Sequence, residues 1–174
     1  MKPKSLLKLT RAAVVAALYV ALTLTPPLSA LSFGALQLRV SEALCVLPML
    51  FPETGIGLIL GCLIANLSSP LILPLDLVLG TGATVIAVFF TVRLGKSKKT
   101  YSKWLCGLPT VLANALIVPF IIAFTTPDAA FAPTYFSAVV TVGAGEALAA
   151  YGLGLPLYLV LNRSSFFRTT KTGE

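Results

Sequence analysis

Runs of apolar residues, separated by short stretches rich in proline or in polar and basic residues, cover most of this chain. An apolar run of about 20 residues is long enough for an α-helix to cross the ~30 Å hydrocarbon core of a bilayer. The pattern therefore predicts an all-α integral membrane protein with one membrane domain, residues 1–174. Its six predicted helical segments are residues 12–31, 41–52, 54–67, 76–92, 104–124 and 135–161.

Prolines and polar residues mark the ends of the early segments. Pro26 and Pro27 are expected to end or kink the first helix, and residues 28–40 then form a loop. The second segment is expected to begin near Ser41, a possible N-cap, and to end at Pro52. The second and third segments are short, and short interrupted apolar segments indicate a binding site in a membrane protein.

Composition and charge support the membrane class. Hydrophobic residues make up 57% of the chain and charged residues 11%, with a mean hydropathy of +0.94, well beyond the usage of globular proteins. The net charge of +7 does not indicate nucleic-acid binding, because the basic residues flank apolar segments instead of forming one basic face. In a six-segment arrangement only Arg39, of the 13 basic residues, falls on the outer side. The positive-inside rule then predicts a plasma-membrane protein with both termini in the cytoplasm.

Five polar residues lie in or beside the apolar segments. A charge at the bilayer centre costs about 2.5–3.5 kcal/mol, so a functional role is the first hypothesis for it. At 1.5 Å per residue, Asn114 and Glu146 lie near the midplane, whereas Arg39, Glu42 and Asn66 lie in the outer half. Glu146 has no basic residue near it in sequence, so a purely structural role explains it least well. Together the five predict a small-molecule pocket that opens outward.

Each of the other polar residues also has a structural interpretation. Arg39 and Glu42 are three residues apart and could pair at the membrane surface. Asp76 is expected to be the N-cap of the fourth segment, and Asn66 could cap the end of the third. Asn114 could bridge two helices.

Catalytic motifs are missing from the sequence. The chain has no histidine, and Cys45, Cys62 and Cys106 lie in or beside apolar runs without a CxxC pair. We interpret them as small buried hydrophobes rather than as metal ligands or disulfides. The letters GKS at residues 95–97 do not complete a phosphate-binding loop, because Phe90 stands where that loop needs glycine. The prediction is a binding or transport protein without a cofactor or metal of its own.

Small residues recur at a spacing of four in the first segment, at Ala13, Ala17 and Ala21. Such a stripe lets another helix approach closely. The stripe serves either a partner protein or ordinary packing inside this chain.

Three blocks of the sequence are similar to those of a known family. RVSEALCVLPMLFPETGIGLILGCLIANL (residues 39–67), DLVLGTGATVIAV (residues 76–88) and GEALAAYGLGLPLYL (residues 145–159) resemble the QueT family. These proteins are the substrate-binding S components of energy-coupling factor (ECF) transporters. The resemblance implies six helices, a pocket near the outer face, and queuosine precursors as substrates. It also implies a transmembrane coupling subunit, which would meet the alanine stripe, and two ATPase subunits that use ATP.

A 7-deazaguanine suits the predicted pocket. Its N1–H and N2–H₂ donors match a carboxylate, and its O6 and N3 accept hydrogen bonds from arginine or asparagine. A 7-aminomethyl group would need a second carboxylate, and Glu42 and Glu146 could supply both in either assignment. Candidate ring faces for the base are Phe33, Tyr135 and Tyr151.

Two other functions stay open at this point. One is a self-sufficient small transporter or channel, and the other is a membrane-embedded enzyme that uses Glu42 and Glu146.

Overall fold

The computed structural model describes residues 3–32, 37–68, 74–97, 100–126 and 129–164. Within these ranges the ordered elements are all helical, which confirms the predicted all-α class. The helices are α1 (Pro3–Leu24), α2 (Leu28–Ser32), a 3₁₀ helix (Val40–Met49), α3 (Thr54–Leu67), a π turn (Asp76–Gly80) that leads into α4 (Thr81–Lys96), a short 3₁₀ helix (Thr100–Leu105), α5 (Leu108–Thr125), α6 (Phe131–Ala147), a π segment (Leu148–Gly154) and α7 (Leu155–Arg163).

In the part of the chain that the structure describes, four continuous helical stretches are long and apolar enough to cross a membrane. They are Lys4–Leu24, Asp76–Lys96, Tyr101–Thr125 and Phe131–Arg163. The second and third predicted segments are shorter apolar helices, Val40–Met49 and Thr54–Leu67. At 1.5 Å per residue, the 14 residues of α3 extend only about 21 Å. The count of six crossings and the side on which the termini lie therefore stay predictions.

The first helix differs from its predicted boundaries. It begins at Pro3 instead of residue 12 and ends at Leu24, just before the predicted break at Pro26 and Pro27. Lysine, arginine and leucine are good helix formers, so the helix continues through the basic N-terminal residues that hydropathy excluded. The predicted loop at residues 28–40 is also partly wrong, because α2 occupies Leu28–Ser32.

The second segment is a 3₁₀ helix with most of its residues buried. Arg39, not Ser41, is its N-cap residue, so the predicted N-cap was wrong. Ser41 lies inside the helix, and its Oγ accepts a 2.7 Å hydrogen bond from Thr23 Oγ1 on α1. Pro48 lies within the same helix. This helix contacts α1, α3, α4 and the π segment, so it forms the centre of the bundle.

Glycines bring α3 unusually close to α1. A Cβ atom on Gly57 would overlap the Ala12 carbonyl oxygen, and one on Gly61 would lie 2.8 Å from Tyr19 Cβ. Only residues without a side chain permit such close backbone packing. The contact holds the Tyr19 side chain against the 3₁₀ helix.

Candidate functional site

Glu42, on the first turn of the 3₁₀ helix, is fixed by two side chains. It is buried, and its Oε1 accepts a hydrogen bond from the Tyr19 hydroxyl. Its Oε2 lies 2.9 Å from Cys45 Sγ, which donates to it. Both carboxyl oxygens of Glu42 therefore have partners within the protein.

Sequence reasoning missed Tyr19, although a signal for it exists. Val15, Tyr19 and Thr23 recur at a spacing of four and are all buried. Residues four apart share one face of an α-helix, so this second stripe on α1 marks the side that faces the bundle. Tyr19 is the large residue of that stripe that carries a hydroxyl.

Glu146, near the C-terminal end of α6, is 2% exposed. Its side chain hydrogen-bonds with Asn114 of α5 and interacts electrostatically with Glu42 and Arg39. Its Oε2 has no hydrogen-bond partner among the described residues. A buried polar atom without a partner costs free energy, so this oxygen has an acceptor position that the described residues do not use.

Arg39 and Asp76 complete the charged part of the cluster. Arg39 is 6% exposed and interacts electrostatically with Tyr19, Asp76 and Glu42. Arg39 and Glu42 do interact, as the pairing interpretation expected, but both residues are buried in the bundle. Asp76 is not an N-cap either, since residues 74 and 75 before it are already helical. A Cβ atom added to Gly80 would lie only 2.9 Å from Asp76 Oδ1.

Asn66, at the end of α3, links that helix to the π turn. Its Nδ2 lies 3.5 Å from the Asp76 carbonyl oxygen and 3.6 Å from Cys62 Sγ. Thr84 Oγ1 also donates to Cys62 Sγ at 3.2 Å. Asn66 therefore joins two helices as well as lying next to the cluster.

The five predicted site residues are thus linked by pairwise interactions, although they come from four parts of the chain. Arg39, Glu42 and Glu146 interact directly, Asn114 joins through Glu146, and Asn66 joins through Asp76. We refer to these residues as the polar cluster, defined as Tyr19, Arg39, Glu42, Cys45, Asn66, Asp76, Asn114 and Glu146. Ligand binding by the cluster stays a prediction.

Two of the three aromatic residues predicted to face the ligand ring, Tyr135 and Tyr151, have contacts outside the polar cluster. The Tyr135 hydroxyl donates to the Leu116 carbonyl oxygen at 3.3 Å, and its ring stacks on Phe131 with centroids 6.0 Å apart. Tyr151 packs next to Gly107 at the start of α5. Phe33 lies outside the described residues.

The cysteines are free and buried, as expected. Cys45 and Cys62 also make hydrogen bonds in and beside the polar cluster, so the interpretation as plain hydrophobes was incomplete for these two. Across the parts of the chain that the structure covers, no group of three histidine, cysteine or acidic residues is arranged to hold a metal ion.

Comparisons with known proteins place the chain in a family. The family model described as the QueT transporter matches residues 9–163. The chain belongs to the QueT transporter family. Within this family, it is 37% identical over 94 residues to the queuosine precursor transporter QueT of Lactococcus lactis subsp. cremoris (strain MG1363). The match covers 54% of each protein, so it spans about half the length of that QueT relative.

No solved structure matches the chain. Membership of the QueT transporter family confirms the resemblance seen in the sequence blocks and identifies a membrane transport protein.

Proposed function

We propose that this protein is the substrate-binding S component of an ECF transporter and that its substrate is a queuosine precursor with a 7-deazaguanine base. The observation that carries the substrate site is Glu146, a buried carboxyl with an open oxygen inside a cluster of charged and amide side chains. The relative from Lactococcus lactis is named as a queuosine precursor transporter, which supports this class of substrate.

The chemistry of the polar cluster fits such a base. A guanine-type edge presents two adjacent N–H donors, which a carboxylate accepts in a bidentate manner. Glu42 and Glu146 interact electrostatically, so we assign both carboxyls to one ligand site. Arg39 and Asn114 supply donors for O6 and N3, and Asn66 lies at the edge of the same cluster.

The proposed partners are a transmembrane coupling subunit and two ATPase subunits, on which ATP would be hydrolysed. Ala13, Ala17 and Ala21 are all exposed, on the opposite side of α1 from Tyr19. The described residues therefore leave the stripe exposed, and small exposed residues suit close approach by a helix of another protein. We place both termini on the cytoplasmic side of the plasma membrane, because basic residues flank those ends.

Calorimetry on the purified protein with 7-aminomethyl-7-deazaguanine tests the site. Glu146→Gln keeps the shape but removes a charge-assisted partner, which typically costs about 2–5 kcal/mol. We expect binding to weaken by about 30-fold to several thousand-fold. Glu42→Gln is measured beside it, because either carboxyl can read the guanine edge.

Glu53→Gln is the matched control. Glu53 pairs with Arg11 at 2.9 Å near the start of α3, outside the polar cluster, so affinity should stay within about threefold of wild type. If both cluster variants also bind within threefold of wild type, the two-carboxyl pocket is wrong.

A further inference from the structure

The two buried glutamates differ in how their oxygens are used. Tyr19 and Cys45 occupy one position on each oxygen of Glu42, whereas Oε2 of Glu146 has no hydrogen-bond partner among the described residues. A carboxylate offers about four acceptor positions, so Glu42 can still accept bonds from a ligand, but in an orientation that the protein has set. Glu146 is the carboxyl whose remaining partner the protein does not supply.

Thr110 is a second buried group that lacks a strong hydrogen-bond partner. Its side chain is 1% exposed, and its hydroxyl contacts the Cys45 thiol, a weak hydrogen-bonding group, but has no stronger partner among the described residues. It lies one helical turn before Asn114 on α5, so the two residues share a face of the helix. Cys45 is next to Thr110 and interacts with Glu146 as well as with Glu42. Thr110 therefore lies one helical turn from the residue that hydrogen-bonds with Glu146, on the same face of α5.

The charges of the cluster indicate what this position takes. Glu42, Asp76 and Glu146 provide three carboxyl groups, and Arg39 provides one guanidinium group. The Arg39 guanidinium interacts with both Asp76 and Glu42. Buried carboxylates are stable only when a cation or hydrogen-bond donors compensate them. A positively charged ligand group would supply both.

We propose that Glu146 and Thr110 form a subsite for a protonated amine on the ligand, while Glu42 reads the hydrogen-bond donors of the base. This inference rests on the proposed function and deepens it, because it assigns separate roles to the two carboxyls and adds Thr110 as a specificity-determining residue. The ammonium donates one hydrogen bond to Glu146 Oε2 and a second to Thr110 Oγ1. A precursor with an aminomethyl group is then preferred over one with a neutral nitrile at the same position.

Binding of two probes to the purified protein tests this subsite. The probes are 7-aminomethyl-7-deazaguanine and 7-cyano-7-deazaguanine, which share the guanine edge and differ in the charged group. We expect the affinity of wild type for the amine to exceed its affinity for the nitrile by at least about tenfold, because one charge-assisted hydrogen bond contributes about that factor. Glu146→Gln should reduce this preference to within threefold, and Thr110→Val should weaken amine binding by about threefold to tenfold without changing nitrile binding.

Thr91→Val is the matched control for Thr110→Val. Thr91 is also fully buried with an Oγ1 that has no partner among the described residues, but it lies two helical turns beyond Thr84 on α4. We expect it to leave the affinity for both probes unchanged. Equal binding of the two probes by wild type, or equal weakening of both by Thr110→Val, overturns the proposed subsite.

Failure of the proposed substrate has a different signature. If neither deazaguanine binds, the substrate class is wrong, and the subsite is tested with benzylamine against benzyl alcohol by thermal shift. Stabilisation by the amine alone that disappears in Glu146→Gln supports the subsite. The absence of such stabilisation overturns it.

Discussion

Tyr19 ties α1 to the polar cluster through one hydroxyl group. It is fully buried and donates to Glu42 Oε1. Removing one member of such a pair leaves the other buried without its partner, which costs more than the hydrogen bond itself contributes. The residue therefore controls both stability and the orientation of Glu42.

We predict that Tyr19→Phe lowers the free energy of unfolding by about 1–3 kcal/mol, because one acceptor position of the Glu42 carboxyl loses its donor. Thermal denaturation in detergent measures the change. Tyr135→Phe is the control, because it also removes a tyrosine hydroxyl, but one outside the polar cluster that donates a 3.3 Å hydrogen bond to a backbone carbonyl. It should lower stability less. An equal effect of both substitutions would show that the hydrogen bond between Tyr19 and Glu42 contributes no more to stability than the Tyr135 bond does.

Most residues of the candidate site could be recognised individually in the sequence. Charged and amide side chains are rare in apolar segments, so Arg39, Glu42, Asn114 and Glu146 could be identified from sequence alone. Thr110 could not, because threonine is an ordinary residue of membrane helices. The spacing of Val15, Tyr19 and Thr23 marks one face of α1, but only the structure shows that Tyr19 contacts Glu42.

At the level of helices, the contact between α1 and α3 depends on glycine. A Cβ atom on Gly57 would overlap the carbonyl oxygen of Ala12. A backbone atom cannot move aside as a flexible side chain can, so the two helices would have to separate.

We predict that Gly57→Ala destabilises the protein by about 1–3 kcal/mol, the usual cost of overpacking. Thermal denaturation in detergent again measures it. Gly82→Ala is the control, because a Cβ atom added to Gly82 in α4 would have nothing within 4 Å, and alanine is the better helix former. A Gly57→Ala variant as stable as wild type would contradict the close approach of α1 and α3.

The two faces of α1 have different surroundings. Val15, Tyr19 and Thr23 face the bundle, whereas Ala17 and its neighbours in the stripe are exposed. Added bulk at Ala17 can therefore disturb a partner without filling the core.

We predict that Ala17→Trp leaves ligand binding by the isolated protein intact but abolishes ATP-dependent uptake by cells, since a bulky side chain blocks close helix contact. Val140→Trp, which adds similar bulk at a position of α6 that is 70% exposed, should leave uptake unchanged. Normal uptake by the Ala17 variant would show that the stripe is not part of the docking surface.

At the scale of the whole molecule, the proposed function depends on subunits outside this chain. The self-sufficient transporter is the alternative that can be separated most directly. We predict that the purified protein in liposomes binds a 7-deazaguanine but does not accumulate it against a gradient. Accumulation measured with labelled ligand, without added ATPase subunits, would support the self-sufficient transporter instead.

The membrane class, the all-helical fold and the family could be determined from the sequence alone. These properties depend on local hydropathy, on backbone hydrogen bonds that a helix satisfies within itself, and on contiguous sequence blocks. The third helix was predicted with the boundaries that the structure shows, Thr54–Leu67, because Pro52 and Ser68 flank an uninterrupted apolar run.

Only the tertiary structure decided which polar groups lack partners. The sequence left open which of Glu42 and Glu146 reads the guanine edge, but the contacts of Glu42 with Tyr19 and Cys45 distinguish the two carboxyls. The sequence also did not show whether the Ala17 stripe faces the bundle or its outside. The packing of Gly57 against Ala12 decided this. Hydropathy describes each residue in its own segment, whereas hydrogen-bond partners and exposed faces depend on which segments pack together.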